Sequence, residues 1–186
     1  MKTILLLLLG IWVSLTLQGQ EMNQEITLEN NQKMLVGPIS QGKLMEQPYA
    51  TWFKTNYDSY TVDKNLLTQI KPRLNNYKIL LFLGTWCGDS QREVPRFIKL
   101  LKALDFPMEN LKIVALDRRD GKYKKSPNGE EWGLNILRVP TIIYYKNGRE
   151  INRIIESPNN SLESDMLQIL SNEGYQSKKA KSYHFD

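Results

Sequence analysis

The sequence holds a single cysteine, Cys87, and a single histidine, His184. One cysteine excludes an internal disulfide and any metal centre built from several thiolates. His184 stands in a polar, basic terminal stretch, so neither a metal cluster nor a Cys/His pair is legible, and no cofactor is expected. Long apolar runs are also scarce: only Ile4 to Leu17 is nearly unbroken, and it falls short of the roughly 20 residues of a membrane span. No stable span is therefore expected. Charge of one sign is not in marked excess either. With 25 basic and 20 acidic residues the net charge is +5, which suits an anionic partner but is far from a nucleic-acid-binding footprint. Internal repeats are absent.

What is present at the start reads as an export signal. Lys2 supplies a positive charge, the apolar run follows, and Gln18-Gly19-Gln20 offers a small residue for cleavage. Residues 1–19 are expected to be a signal peptide, and the mature chain to be exported to the periplasm or beyond. An uncleaved N-terminal anchor is the alternative. No cysteine lies near the cleavage region, so a lipidated N-terminal cysteine is excluded. The remaining chain, 41% hydrophobic and 24% charged over the full 186 residues, has the makings of one domain with a real core.

Residues 20–60 form an N-terminal extension. Its first part, to Gln47, is polar with brief apolar runs and reads as a mobile lead-in with at most one short strand. Tyr49, Trp52, Phe53, Tyr57 and Tyr60 then recur at spacings of three and four, the mark of one helical face. Asp63 is placed to cap a further helix that stalls before Pro72. Residues 61–175 follow as the main domain. Lys78 to Leu83 is a short continuous apolar run, as in a strand buried on both faces. A turn, Gly84 to Ser90, leads into Val94, Phe97, Ile98, Leu101 and Leu104 at helical spacing, and Leu111 to Leu116 is the next strand. Strand, helix, strand is a βαβ unit. Asp117 to Glu131 is charged and reads as a loop, its cations a solvated face or an electropositive rim. Val139 to Tyr145 is a strand opened by proline, and Lys146-Asn147-Gly148 signals a hairpin back through Glu150 to Ile155. Ser161 opens the last helix, Gly174 stops it, and residues 176–186 read as a polar basic tail. Trp132 and the pair Tyr144 and Tyr145 read as packing residues. Asp89 and Glu93 fall in the first helical turns, where acids favour the helix dipole.

A cysteine at a strand-to-helix turn is chemically distinctive. First-turn N–H groups and the positive helix end favour a thiolate, and the thiolate is the nucleophile.

In this region the chain, over about Leu66 to Tyr175, resembles the thioredoxin superfamily. Trp86-Cys87-Gly88-Asp89-Ser90 is similar to the Trp-Cys-x-x-Cys site, with Ser90 in the place of the second cysteine. Pro95 matches the proline within the family's first long helix. Val139-Pro140-Thr141 is similar to the segment whose cis-proline faces the reactive sulfur, and Gly148 falls at the family's Lys-Asn-Gly turn. The resemblance implies an α/β thioredoxin-like three-layer fold: a central mixed sheet flanked by helices, here with an N-terminal helical extension.

The implied roles follow position by position. Cys87 is the nucleophile, Ser90 its companion in a CxxS monothiol site, and Trp86, Gly88, Val139 and Pro140 shape the partner's groove. Two departures bear on mechanism. Ser90 cannot expel a mixed disulfide as a second thiol would, although its hydroxyl is in a place to hydrogen-bond Cys87. Leu81 stands where many thioredoxins keep a buried acid. The expected partners are protein thiols and disulfides or low-molecular-weight thiol adducts, exchanged through Cys87 and released by an external thiol. One alternative is a non-catalytic peptide-binding or chaperone-like module using the groove beside Pro140. Another is a structural domain in which Cys87 has no role.

Overall fold

A computed structural model describes residues 21–182. The leader, residues 1–19, and the last four residues, His184 among them, lie outside the described residues. No described helix is long and apolar enough to cross a membrane.

Six strands form one mixed sheet. They are β1 (Gln24–Thr27), β2 (Lys33–Ile39), β3 (Tyr77–Leu83), β4 (Leu111–Ala115), β5 (Thr141–Lys146) and β6 (Arg149–Ile155). Their spatial order is β1-β2-β4-β3-β5-β6. Only β3 and β4 are parallel, joined by the crossover helix α3 (Gly88–Ala103); every other pairing is antiparallel. The continuous apolar runs of the central strands are explained by burial on both faces. Ile79, Leu81, Leu83, Ile113, Ala115, Ile142 and Tyr144 point into one cluster, while Phe82, Val114 and Ile143 point into another. Each such side chain taken out of water contributes about 1.5–3 kcal/mol.

Helices cover the first face. α1 (Ala50–Ser59) packs on α3, and α2 (Lys64–Ile70) packs on α4 (Leu162–Ser171). The other face is closed by the long loop from Asp117 to Val139, through Ile136 and Leu134. This is a thioredoxin-like α/β fold. Local signals set the element ends as their chemistry requires. Asp63 accepts hydrogen bonds from the Asn65 and Leu66 N–H groups, and Ser161 accepts from Ser164. The β5–β6 hairpin turns on Asn147 and Gly148, whose φ angles of 52° and 77° define the left-handed two-residue turn that Asn-Gly favours.

The stretch before Gln47 differs from its expected form as a mobile lead-in. It forms the hairpin β1–β2, and β2 lies inside the sheet, pairing with β1 on one side and β4 on the other. Met34, Leu35 and Val36 are fully buried there. Gly37 and Pro38 mask the strand in the sequence; Gly37 takes φ +77° beneath the ring of Pro127.

Two buried carboxylates in the first turn of α4 fasten the flanks of the domain. Glu163 accepts from the Tyr60 hydroxyl at 2.6 Å and from the Asp63 N–H at 3.3 Å. Asp165 accepts from the Asn159 N–H at 2.6 Å and the Tyr175 hydroxyl at 2.8 Å. The expected solvated tail is therefore docked where it begins: Ser177 is buried, and the Gln176 carbonyl accepts from the Asn159 side chain. Trp132, expected to pack, is instead 77% exposed. Its indole lies so close over Gly129 that a Cβ there would stand 2.3 Å from the ring.

If the hairpin is core, Leu35→Ala should lower the unfolding free energy by about 3 kcal/mol in urea titration. A loss under about 0.5 kcal/mol, typical of surface sites, would show it to be peripheral.

Candidate functional site

The site forms where β3 ends and β5 begins. The turn after β3 closes through the Cys87 N–H, which donates to the Gly84 carbonyl at 2.9 Å, and the Gln91 N–H then donates to the Cys87 carbonyl at 2.9 Å. Cys87 keeps extended backbone angles, φ −96° and ψ 124°, and is the N-cap of α3. Its side chain is partly exposed, and its Sγ donates to the Val139 carbonyl at 3.3 Å. Val139 and Pro140 are buried, and the peptide bond between them is cis. Cys87 and the loop before β5 thus meet across the sheet end, although 52 residues separate Cys87 from Val139.

Ser90 is placed differently from its sequence expectation. It is fully buried, and its Oγ accepts from the Gly84 N–H at 3.1 Å. That hydrogen bond holds the turn closed, because the Gly84 N–H would otherwise be a buried donor without a partner. Leu81 is fully buried in apolar surroundings, so that strand position offers no proton. Gly88 is exposed, and a Cβ built on it would meet nothing within 4 Å, which leaves the helix start open to an approaching chain. Asp89 is salted to Arg92 at 2.6 Å. Glu93, expected only to favour the helix dipole, is buried and paired with Arg92 at 2.7 Å.

Trp86 forms the wall of the site. Its indole N–H donates to the Leu116 carbonyl at 2.8 Å, and its ring lies over Gly84, where a Cβ would stand 2.7 Å away. Tyr123 leans on its outer face, ring centroids 5.7 Å apart. Thr85, beside it, accepts from the Leu35 N–H at 3.1 Å and so ties β2 to the turn.

Tyr123 is carried by a loop that Asp117 organises. The Asp117 carboxylate accepts from the Arg119 N–H at 2.8 Å and pairs with its guanidinium at 2.7 Å. Its backbone exchanges hydrogen bonds with Lys124 and Lys125. Burial pushes the Asp117 carboxyl up, but the Arg119 contacts outweigh it and hold the group below the usual carboxylate range. Glu156 behaves alike: burial raises it, and Lys179 and Arg138 together pull it below that range. It accepts from Arg138 at 3.0 Å and from Lys179 at 3.2 Å.

Two hollows result, one on each side of Trp86. A groove of about 520 Å³ runs along Cys87, Tyr123, Lys124, Arg138 and Val139. A second hollow of about 410 Å³ is lined by Lys33, Trp52, Thr85, Gln91 and Arg118, drawing on the N-terminal extension. The structure thus gathers Trp86, Cys87 and Val139 at one groove, with Pro140 and Gly88 beside it, and turns Ser90 inward. Lys124 belongs to the basic loop read as a solvated face or an electropositive rim, whereas Tyr123, Arg138 and Glu156 escaped the sequence reading. The charged loop was the signal for Lys124, and the place of Tyr123 depends on how Asp117 folds that loop back.

A thioredoxin-like fold with a partly exposed cysteine at a helix N-terminus is the class these features define. The chain matches no family model and no curated protein sequence. Among solved structures it is similar to a Pseudomonas aeruginosa protein of unknown function, at 14% identity and TM-score 0.47, covering 67% of this chain and 82% of that one. It is also similar to mitochondrial thioredoxin 3 of Saccharomyces cerevisiae, at 25% identity and TM-score 0.31, covering 54% and 86%. Thioredoxin O2 of Arabidopsis thaliana is similar at 17% identity and TM-score 0.34, covering 60% and 85%.

Two outcomes are expected. Gly84→Ala should displace the Trp86 ring and change its fluorescence in the folded protein; an unchanged emission spectrum would contradict the packing. Because Asp117 and Glu156 have lowered folded values, their stabilisation is complete above their unfolded values of about 3.9 and 4.3 and is lost as pH falls through the folded ones. Stability should therefore drop below about pH 4, and Asp117→Asn should flatten that dependence in denaturant titrations across pH.

Proposed function

We propose that this protein exchanges thiols and disulfides through Cys87 alone, outside the cytoplasm, as a monothiol member of the thioredoxin superfamily. The observation that carries the reading is the placement of Cys87: a partly exposed sulfur on the N-cap residue of a sixteen-residue helix, lining an open groove beside the Val139 carbonyl. First-turn amides favour negative charge at such a cap, and a thiolate is the attacking species. The Val139 carbonyl accepts from the sulfur at the groove's edge, so an attacking sulfur must give up this bond.

The step balances without a cofactor. The Cys87 thiolate attacks one sulfur of a partner disulfide, the S–S bond breaks, and the departing thiolate takes the electron pair and then a proton. The protein is left joined to the partner. Ser90 has no sulfur to reverse this and is engaged with Gly84, so an external low-molecular-weight thiol attacks the mixed disulfide and restores Cys87. The export assignment rests on the leader sequence. A peptide-gripping role without chemistry uses the same groove, and what favours it is that the walls stand ready without the sulfur's participation.

The test uses a chromogenic thionitrobenzoate disulfide. The wild-type chain should release one equivalent of thionitrobenzoate and hold a mixed disulfide, seen by mass, until external thiol is added. Cys87→Ser should release none. Ser90→Cys should clear the adduct unaided. If the wild-type sulfur reacts no faster than it does in urea-unfolded protein, the exchange role fails, and the gripping role takes its place.

A further inference from the structure

The charges around Trp86 are unevenly compensated. Asp117 is matched by Arg119 and Glu25 by Lys33, while Asp89 and Glu93 share Arg92, with Arg96 also 3.6 Å from Glu93. Glu156 is shared between Arg138 and Lys179. Two further cations have neutral partners. Arg118 donates to the Gln32 side-chain carbonyl at 2.8 Å, and Lys124 donates to the Leu137 carbonyl and sits 4.7 Å above the Tyr123 ring. Neither loses its charge to a carboxylate. They stand in different hollows: Lys124 in the groove with Cys87, Arg118 in the hollow that the N-terminal extension builds. Trp86 lines both.

Because Trp86 lines both hollows, an extended chain crossing it meets both cations. Aromatic surface between two positive charges fits a segment with apolar character at its centre and acids at its flanks. We infer that the partner is an acidic polypeptide segment that crosses Trp86 with its cysteine over Cys87, one carboxylate on Lys124 and another on Arg118. This rests on the exchange role for the chemistry, but the docking does not. The hollow beside Trp52 gives the extension a purpose in recognition, since β2 is pinned to the site through the Thr85 hydroxyl.

Short synthetic peptides, each with one cysteine carried as a thionitrobenzoate disulfide, separate these claims. The flanking residues are glutamate in one peptide, glutamine in the second and lysine in the third. Cys87 attacks the peptide sulfur and thionitrobenzoate leaves with the electron pair, so capture is read as colour. At low salt the glutamate peptide should be captured about tenfold faster than the lysine peptide, and the preference should vanish near 0.5 M salt, as screening requires. Arg118→Gln and Lys124→Gln should each cut the preference severalfold. Lys146→Gln, at the far end of β5, removes the same charge and should leave it intact.

Equal capture of all three peptides overturns the inference while the exchange role stands. If oxidised glutathione reacts as fast as the glutamate peptide, and Arg118→Gln changes neither, the occupant is a small molecule and the inference also fails. If no peptide is captured, binding of serine-for-cysteine versions to Cys87→Ser, followed by fluorescence anisotropy, decides. A glutamate preference there upholds the docking and removes the exchange, and no preference removes both.

Discussion

The indole of Trp86, held between the α-carbon of Gly84 and the Leu116 carbonyl, is the contact on which the site depends. It separates the groove of Cys87 from the hollow beneath the N-terminal extension, and it gives Tyr123 a surface to rest on. Only glycine at 84 lets the ring come this close. Since Gly84 also receives the Cys87 N–H at its carbonyl and donates its own N–H to Ser90, one residue both seats the wall and shapes the turn that presents the sulfur. Ser90 is thus part of the scaffold. A hydroxyl in the place of the motif's second cysteine is suited to this because it accepts a hydrogen bond at 3.1 Å in a fully buried place.

The remainder of the fold supplies rigidity from two sides. β2 is joined to the turn by a single hydrogen bond from Leu35 to Thr85, and α4 holds the residues before α2 and after Gly174 through Glu163 and Asp165. Buried carboxylates are costly unless every oxygen finds donors, and here hydroxyls and backbone amides supply them. The loop from Asp117 to Val139 covers the opposite face without a helix. It manages this by internal pairing: Asp117 closes one end, and Glu131 receives both the backbone and the hydroxyl of Ser126 further along.

How much of this could be read from the residues differs by region. The central strands announced themselves because each is buried on two faces, leaving no polar residue to interrupt the run. α3 was plain from Val94, Phe97, Ile98 and Leu101, and the hairpin from Asn147-Gly148. The position of Cys87 followed from strand, turn and helix in succession. β2 was hidden because Gly37 and Pro38 disfavour strand locally, while pairing on two sides and burial of Met34 to Val36 override them. The bond from the Gly84 N–H to the Ser90 hydroxyl was not legible, since sequence spacing does not say which nearby backbone group lacks a hydrogen bond. Tyr123, Lys124 and Arg138 carried no periodic signal; folded loops, not elements, bring them to the groove.

The place of β2 bears on the order in which this molecule can be made. Its pairing partner β4 starts at Leu111, and the register joins Gly37 to Ala115, so the contact closes a loop across more than a third of the chain. The β1–β2 hairpin can zip up early from local turns, but its apolar side has nowhere to rest until β3, α3 and β4 have assembled. The hairpin's apolar side is therefore covered only where the βαβ unit stands beneath it. The hollow beside Trp86, and with it the full width of the surface around the sulfur, exists only when the N-terminal extension and the βαβ unit meet in the same sheet.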